Sequence, residues 1–304
     1  MKNNFLPIAY HSGKFIPFSK ANVSIATHAL HYATAAFGGI RGWVDTNNPN
    51  QTVLIDLPGH MKRLSKSSLY IEANYSTNFL QKTVIEFIKQ NKPKKPFYIR
   101  PLVYVSDLGI SPRVHNAEKD FLIYGIELDD YLPPNGVSVC FASWSRQQDS
   151  SLPLRGKISG AYITSSLAKS EAFHRGFDEA ILLRANGKVS EATGMNVFIV
   201  RNNALITPSV DQDILEGITR KIIIQLARDL GLDVIERPLD KTELYIADEV
   251  FLCGTAAKLT PVHQVESTKL PKNTKIAKML KEKLDKLSRG ELANYKSLNT
   301  IVNY

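Results

Sequence analysis

The stretch from Leu154 to Val200 constrains the fold most, because it dictates a helix and then a hairpin in that order. Gly156, Ser159 and Gly160 surround Lys157 and open onto a helical segment starting near Tyr162. Ile163, Leu167 and Ala168 lie on one side of that segment, as helical spacing requires of a buried face. His174-Arg175-Gly176 ends it, with glycine at the left-handed C-terminal position. Ala180 to Leu183 then reads as an apolar strand, Asn186-Gly187 as a two-residue hairpin turn, and Val189 as the start of the return strand. Glu191 lies just after the turn.

A loop lysine is ordinarily solvated, and so is a glutamate beside a turn. Here Lys157 is flanked by residues small enough for close backbone approach, with Tyr162 near in sequence. A lysine nucleophile, a phenol and a carboxylate together suit an aldehyde cofactor with a basic pyridine ring. Lysine bonds the aldehyde carbon, tyrosine donates to the phenolate oxygen, and glutamate keeps the ring nitrogen protonated.

The rest of the chain frames this stretch. Its 304 residues have room for one large domain or two modest ones. Hydrophobic content of 43% with 22% charge is that of a globular protein. No apolar run approaches the ~18–20 residues that cross a bilayer, and the polar start through Pro7 shows no signal peptide. Cys140 and Cys253 sit in apolar strand-like runs and read as buried free thiols of an intracellular protein. The net charge of +9 is spread along the chain, which points to solvation and to gathering anionic substrates rather than to nucleic acid.

In chain order, Ala9 to Phe18 reads as strands around a Ser12-Gly13 turn, and the region of Tyr32 as a short helix. A strand through Arg41 and Trp43 follows Gly38-Gly39. His60 opens a helix reaching Tyr70, and Asn78 to Gln90 is an amphipathic helix with Phe79, Leu80, Val84, Phe87 and Ile88 on its buried face. Phe97 to Val105 is a strand whose alternation puts Tyr98 and Arg100 on one face. Asp129 to Gly136 has linker composition. Gly217 gives a tight entry to a helix running through Leu230, whose free amides attract anions. Val250 to Ala257 is a buried strand entering a turn of small residues, and the tail from Pro271 is Lys-rich and mostly helical.

GKISGAYITSSLAKSEAFHRGFDEAILL followed by GKVSEATGMNVFIV resembles the core of the class IV aminotransferases, and within them the branched-chain amino acid aminotransferases. HALHY, HMKRL, YIRPL and GITR extend the resemblance from Phe18 to about Val265. It implies an α+β, two-domain fold type IV enzyme: a smaller N-terminal domain (1–130), a linker (131–136) and a larger domain (137–304) with a β-barrel-like core and helices. Pyridoxal 5'-phosphate is expected between the domains. Lys157 is then the catalytic residue, with Tyr162 on the phenolate oxygen and Glu191 on the ring nitrogen. Arg63, the Ile218 and Thr219 amides and the Thr255 hydroxyl hold the phosphate, a task suited to a guanidinium and helix-end amides.

The same resemblance places Tyr32 (reaching a neighbouring subunit's site), Phe37, Tyr98, Arg100 and Tyr131 in the substrate pocket, with the Ala256 and Ala257 amides on the substrate carboxylate. The implied reaction moves an amino group between L-leucine, L-isoleucine or L-valine and 2-oxoglutarate, in a cytoplasmic homodimer or higher homo-oligomer. No metal, nucleic acid or membrane is expected to take part. The chain departs from the family pattern at Gly38 and Met195, where glutamate is usual, and at Leu128, where some relatives have tryptophan. Pro112 falls where a loop amide would contact the side carboxylate of glutamate, and proline has no N–H to give. Three other readings are a D-amino acid or (R)-amine transaminase of the same fold, an aminodeoxychorismate lyase, and a basic RNA-binding or scaffold protein. A substrate panel separates the first two from the branched-chain reading, and a colourless purified protein would favour the third.

Overall fold

The computed structural model describes residues 4–45, 48–129, 131–133, 135–271 and 274–304. The chain divides into two compact units, one made of 1–129, 156–160 and 286–304, the other of 130–155 and 161–285.

The first unit is built on an eight-stranded sheet whose neighbours are all antiparallel. Its order is Asn299–Asn303, Gln51–Ile55, Ile40–Val44, Phe97–Val105, Lys119–Glu127, Ile8–His11, Lys14–Pro17, with Ala35–Phe37 also on Phe97–Val105. Three helices accompany it: α1 (His28–Tyr32), α2 (Leu57–Ser68) and α3 (Thr77–Asn91). Asp56 caps α2 by accepting from the Gly59 N–H at 2.9 Å, and Ser76 caps α3 from Phe79. Helical spacing then buries Leu57, His60, Met61, Leu64 and Ser67 of α2. The buried face of α3 is Leu80, Thr83, Val84, Phe87 and Ile88, while Phe79, expected there, is 39% exposed at its edge.

The second unit carries the nine-stranded mixed sheet that corresponds to the expected barrel-like core. Its order is Val189–Ala192, Glu179–Leu183, Val137–Ser145, Lys258–Val265, Glu249–Gly254, Asn196–Arg201, Ala204–Thr207, Val234–Glu236, with Thr268–Lys269 on Lys258–Val265. Its strands bury Val137, Val139, Ile181, Val197, Ile199, Val250, Leu252 and Val262 in one core. Helices α4 (Tyr162–His174), α5 (Ile218–Asp229) and α6 (Lys275–Ser288) complete the helix set. Glu249 accepts from the Ile276 and Ala277 amides at the start of α6, whose Ala277, Leu280, Leu284 and Leu287 are buried.

The two units part at 129/130, beside the expected end of the smaller domain at 130, and 156–160 and 286–304 also belong to the first unit. Residues 156–160 join the first unit because Ile158 pairs with Ala36, and the C-terminus returns to it because Asn299–Asn303 pairs with Gln51–Ile55. Asp130, at the expected boundary, and Pro134, in the expected linker, lie outside the described residues. Ile163 and Leu167 of α4 are 62% and 39% exposed; the helix buries Ser165, Ala168 and Ala172 instead, beside Cys140.

Candidate active site

In the first unit Lys157, an arginine and the aromatic residues are held around α2 and the strand Phe97–Val105. Lys157 is fixed by its backbone on both sides. Its N–H donates to Ser67 Oγ at 3.0 Å, and its C=O accepts from the Phe37 N–H at 2.9 Å. Its Nζ lies 5.0 Å from the centroid of the Phe37 ring, and the Arg100 guanidinium is 4.6 Å from the same centroid. Tyr98 and Arg100 are half-buried on one face of their strand, with Arg100 donating to the Tyr98 hydroxyl at 3.3 Å. The structure therefore brings Lys157, Phe37, Tyr98 and Arg100 together.

Arg63 is half-buried on α2, one turn after His60. His60 is 3% exposed and its Nδ1 is buried with no hydrogen-bond partner among the described residues. Burial first, then the charges of Arg63 and Lys157, hold the His60 ring well below its ordinary range, so it is neutral. Tyr32 is 40% exposed at the end of α1, and its hydroxyl donates to the Ile110 carbonyl at 2.5 Å. His28 extends the same tie: its Nε2 bonds the Ser111 carbonyl at 2.9 Å and its Nδ1 meets the Thr34 hydroxyl at 2.8 Å.

In the second unit the central feature is a buried carboxylate. Glu191 is 6% exposed. Its Oε1 pairs with Arg146 Nη2 at 2.8 Å, while Oε2 accepts from Asn196 Nδ2 at 2.9 Å and from the Leu215 N–H at 3.0 Å. One cation and two donors favour the ionised form. Asn196 Nδ2 also donates to the Leu215 carbonyl at 3.0 Å, and a Cβ on Gly217 would stand 2.0 Å from Asn196 Oδ1. A side chain there would displace Asn196, and Gly217 leads directly into α5.

Gly217 is the N-cap of α5 and offers no side-chain bond to the first amides, those of Ile218 and Thr219. Such an end suits an anion. Thr255, Ala256 and Ala257 form the half-buried turn between the strands Glu249–Gly254 and Lys258–Val265, and Asn196 faces Cys253 across the ladder. Tyr162 opens α4, and Tyr131 is 55% exposed. Arg146, Asn196 and Ser67 have no assigned role in the sequence reading. Asn196 sits inside GKVSEATGMN and could have been suspected; nothing in the sequence pattern around Arg146 marks it.

These donors fit the expected cofactor on its own chemistry. A buried carboxylate already paired with an arginine matches a protonated ring nitrogen, and an uncapped helix end matches a phosphate. No group of three or more His, Cys, Asp or Glu residues able to hold a metal occurs among the described residues.

Residues 42–265 match the model of the amino-transferase class IV family. A probable branched-chain-amino-acid aminotransferase of Synechocystis sp. is 55% identical over 293 residues, 96% of each chain. The branched-chain aminotransferase of the archaeon Thermoproteus uzoniensis, solved with norvaline, has a TM-score of 0.93 at 35% identity, covering 97% of this chain and 98% of that one. The branched-chain amino acid aminotransferase of Thermobaculum terrenum, solved in its PLP-bound holo-form, has a TM-score of 0.92 at 31% identity, covering 99% of this chain and 100% of that one.

Proposed function

The chain belongs to the class IV aminotransferase family, among its branched-chain amino acid aminotransferases, and from that premise we propose how its residues divide the work. The substrates are L-leucine, L-isoleucine or L-valine on one side and 2-oxoglutarate on the other, taken in turn by one pocket. Pyridoxal 5'-phosphate supplies an aldehyde that carries the amino group and a ring that accepts the electrons released at the substrate Cα.

Lys157 holds the cofactor through Nζ. Once the substrate amine takes its place on the cofactor, the freed Lys157 Nζ would take the proton from the substrate Cα as base and then give it up as acid. Glu191 keeps the ring nitrogen protonated, and Arg146 and Asn196 keep Glu191 ionised for that purpose. Tyr162 donates to the phenolate oxygen. Arg63, the Ile218 and Thr219 amides and the Thr255 hydroxyl bind the phosphate, and the Ala256 and Ala257 amides bind the substrate carboxylate. Phe37 receives the branched side chain, while Arg100, with Tyr98 and Tyr131, receives the second carboxylate of glutamate. A cation resting on an aromatic ring suits both demands: the ring presents apolar surface, and the guanidinium presents paired donors.

Tyr32 serves the site of a second copy in a homodimer or larger homo-oligomer. Supporting this, Ile25, Leu30, Leu108 and Ile110 are 86%, 64%, 58% and 91% exposed, apolar surface that a second copy would cover. No described helix is long and apolar enough to cross a membrane, and the two thiols, Cys140 and Cys253, are free and buried; we place the reaction in the cytoplasm.

The observation that carries the reading is Glu191, a buried carboxylate bonded to Arg146, to Asn196 and to the Leu215 N–H just before an uncapped helix end. The test is amino transfer to 2-oxoglutarate from L-leucine, D-alanine and 1-phenylethylamine in parallel. Turnover with L-leucine far above the other two supports the assignment; preference for D-alanine or the amine overturns it.

A further inference from the structure

We propose that Ser67 is a positioning residue for Lys157: its hydroxyl ties the backbone of the reactive lysine to the carbonyl of Arg63 on α2. The inference rests on the proposed role of Lys157. Ser67 is 1% exposed, and its hydroxyl is used in both directions. It donates to the Arg63 carbonyl at 2.8 Å and accepts from the Lys157 N–H at 3.0 Å.

The chemistry of the residue explains why serine stands here. Within a helix a serine hydroxyl can bond back to the carbonyl four residues earlier, which fixes its rotamer and leaves its lone pairs facing outward. The only proton goes to Arg63, so the outward lone pair must take a donor, and Lys157 supplies one. The opposite side of Lys157 is bonded to Phe37, and Ile158 pairs with Ala36. Gly156 lets the chain come this close: a Cβ there would lie 2.7 Å from the Tyr70 ring. His60, Arg63 and Ser67 follow helical spacing along one face of α2. The neutral state of His60, imposed by burial and then by Arg63 and Lys157, agrees that this face looks toward the lysine.

The tie matters because proton transfer depends on placement. An amine that must reach the substrate Cα and then return its proton loses rate steeply when its backbone shifts by a fraction of an ångström. Without the Ser67 oxygen, the Lys157 N–H would be left unmet, or the strand would move to meet another acceptor.

The test uses Ser67→Ala in the holoenzyme, with Lys157→Ala beside it. The expected result is a folded enzyme whose kcat falls about tenfold to a hundredfold, with KM for L-leucine and 2-oxoglutarate within about twofold of the parent. The isotope effect on kcat with Cα-deuterated L-leucine should rise, because proton transfer by a misplaced lysine becomes limiting. Ser67→Thr, which keeps the hydroxyl, should recover most of kcat. A purely structural serine would lower the melting temperature while leaving kcat per bound cofactor and the isotope effect at parental values, and that result overturns the proposal. If Ser67→Ala does not fold, Ser67→Cys gives the same two readouts with the volume retained. An active Lys157→Ala would instead overturn the reading of Lys157 itself, so the two failures are distinguishable.

Discussion

Replacing Arg146 by methionine removes the cation from Glu191 while keeping most of the apolar stem. In the parent the pair is 2.8 Å apart, with side chains 5% and 8% exposed. At that distance and an effective dielectric of about 20 the attraction is about 6 kcal/mol, much of it offset by the cost of burying the guanidinium. In the variant Glu191 stays buried with its bonds to Asn196 and Leu215, but Oε1 has lost its cation. The Asp213 carbonyl also loses the Arg146 Nε bond of 3.0 Å. Truncating one side of such a pair costs about 3–5 kcal/mol. At about 2–4 °C per kcal/mol, the melting temperature should fall by on the order of 10 °C. Thermal unfolding followed by circular dichroism measures it, with Glu191→Gln and the double variant completing a cycle. The double variant should be less destabilised than the sum of the singles by about 1–3 kcal/mol. A melting temperature within about 2 °C of the parent, or strict additivity, would refute the idea that Arg146 and Glu191 act as a coupled buried pair.

Two further outcomes follow from the second unit. In Gly217→Ala the new Cβ would lie 2.0 Å from Asn196 Oδ1, so Asn196 must move, taking a donor from Glu191 and disturbing the first amides of α5. Cofactor affinity, measured by fluorescence titration, should weaken about tenfold, and an unchanged Kd would contradict this. Glu243 gives a pH-dependent outcome: hydrogen bonds from Arg237 first, then the Asp240 amide and Arg201, hold its carboxyl down at about 2 from an ordinary 4.5. A depressed folded value means stability present above pH 4.5 and lost as the pH falls toward 2, on the order of 3 kcal/mol. Urea unfolding across that window should show the parent losing more stability than Glu243→Gln; parallel curves would contradict it.

Local signals carried much of this molecule. The strand Phe97–Val105 follows from alternation alone, and the turn at Asn186-Gly187 follows from glycine chemistry, with Gly187 at φ +79°. What stayed hidden depends on distant partners. Nothing near Asn299–Asn303 says that it pairs with Gln51–Ile55, because the partner strand lies near the other end of the chain. The apolar periodicity of α4 suggested that Ile163 and Leu167 face inward, yet the close-packed side is the small one, Ala168 and Ala172 against Cys140. The same limit hid Arg146 and Ser67. Arginine and serine are common surface residues, and only the fold shows that each is buried against a residue of the candidate site.

The bond between Lys157 and the cofactor can be tested directly. Borohydride reduction of the purified holoenzyme fixes the cofactor to whichever amine holds it, and digestion with mass spectrometry then locates the label. The expected result is a single phosphopyridoxyl group on Lys157, in the peptide containing Ile158-Ser159-Gly160. A label on another lysine, or none while amino transfer from L-leucine proceeds, would contradict the central claim.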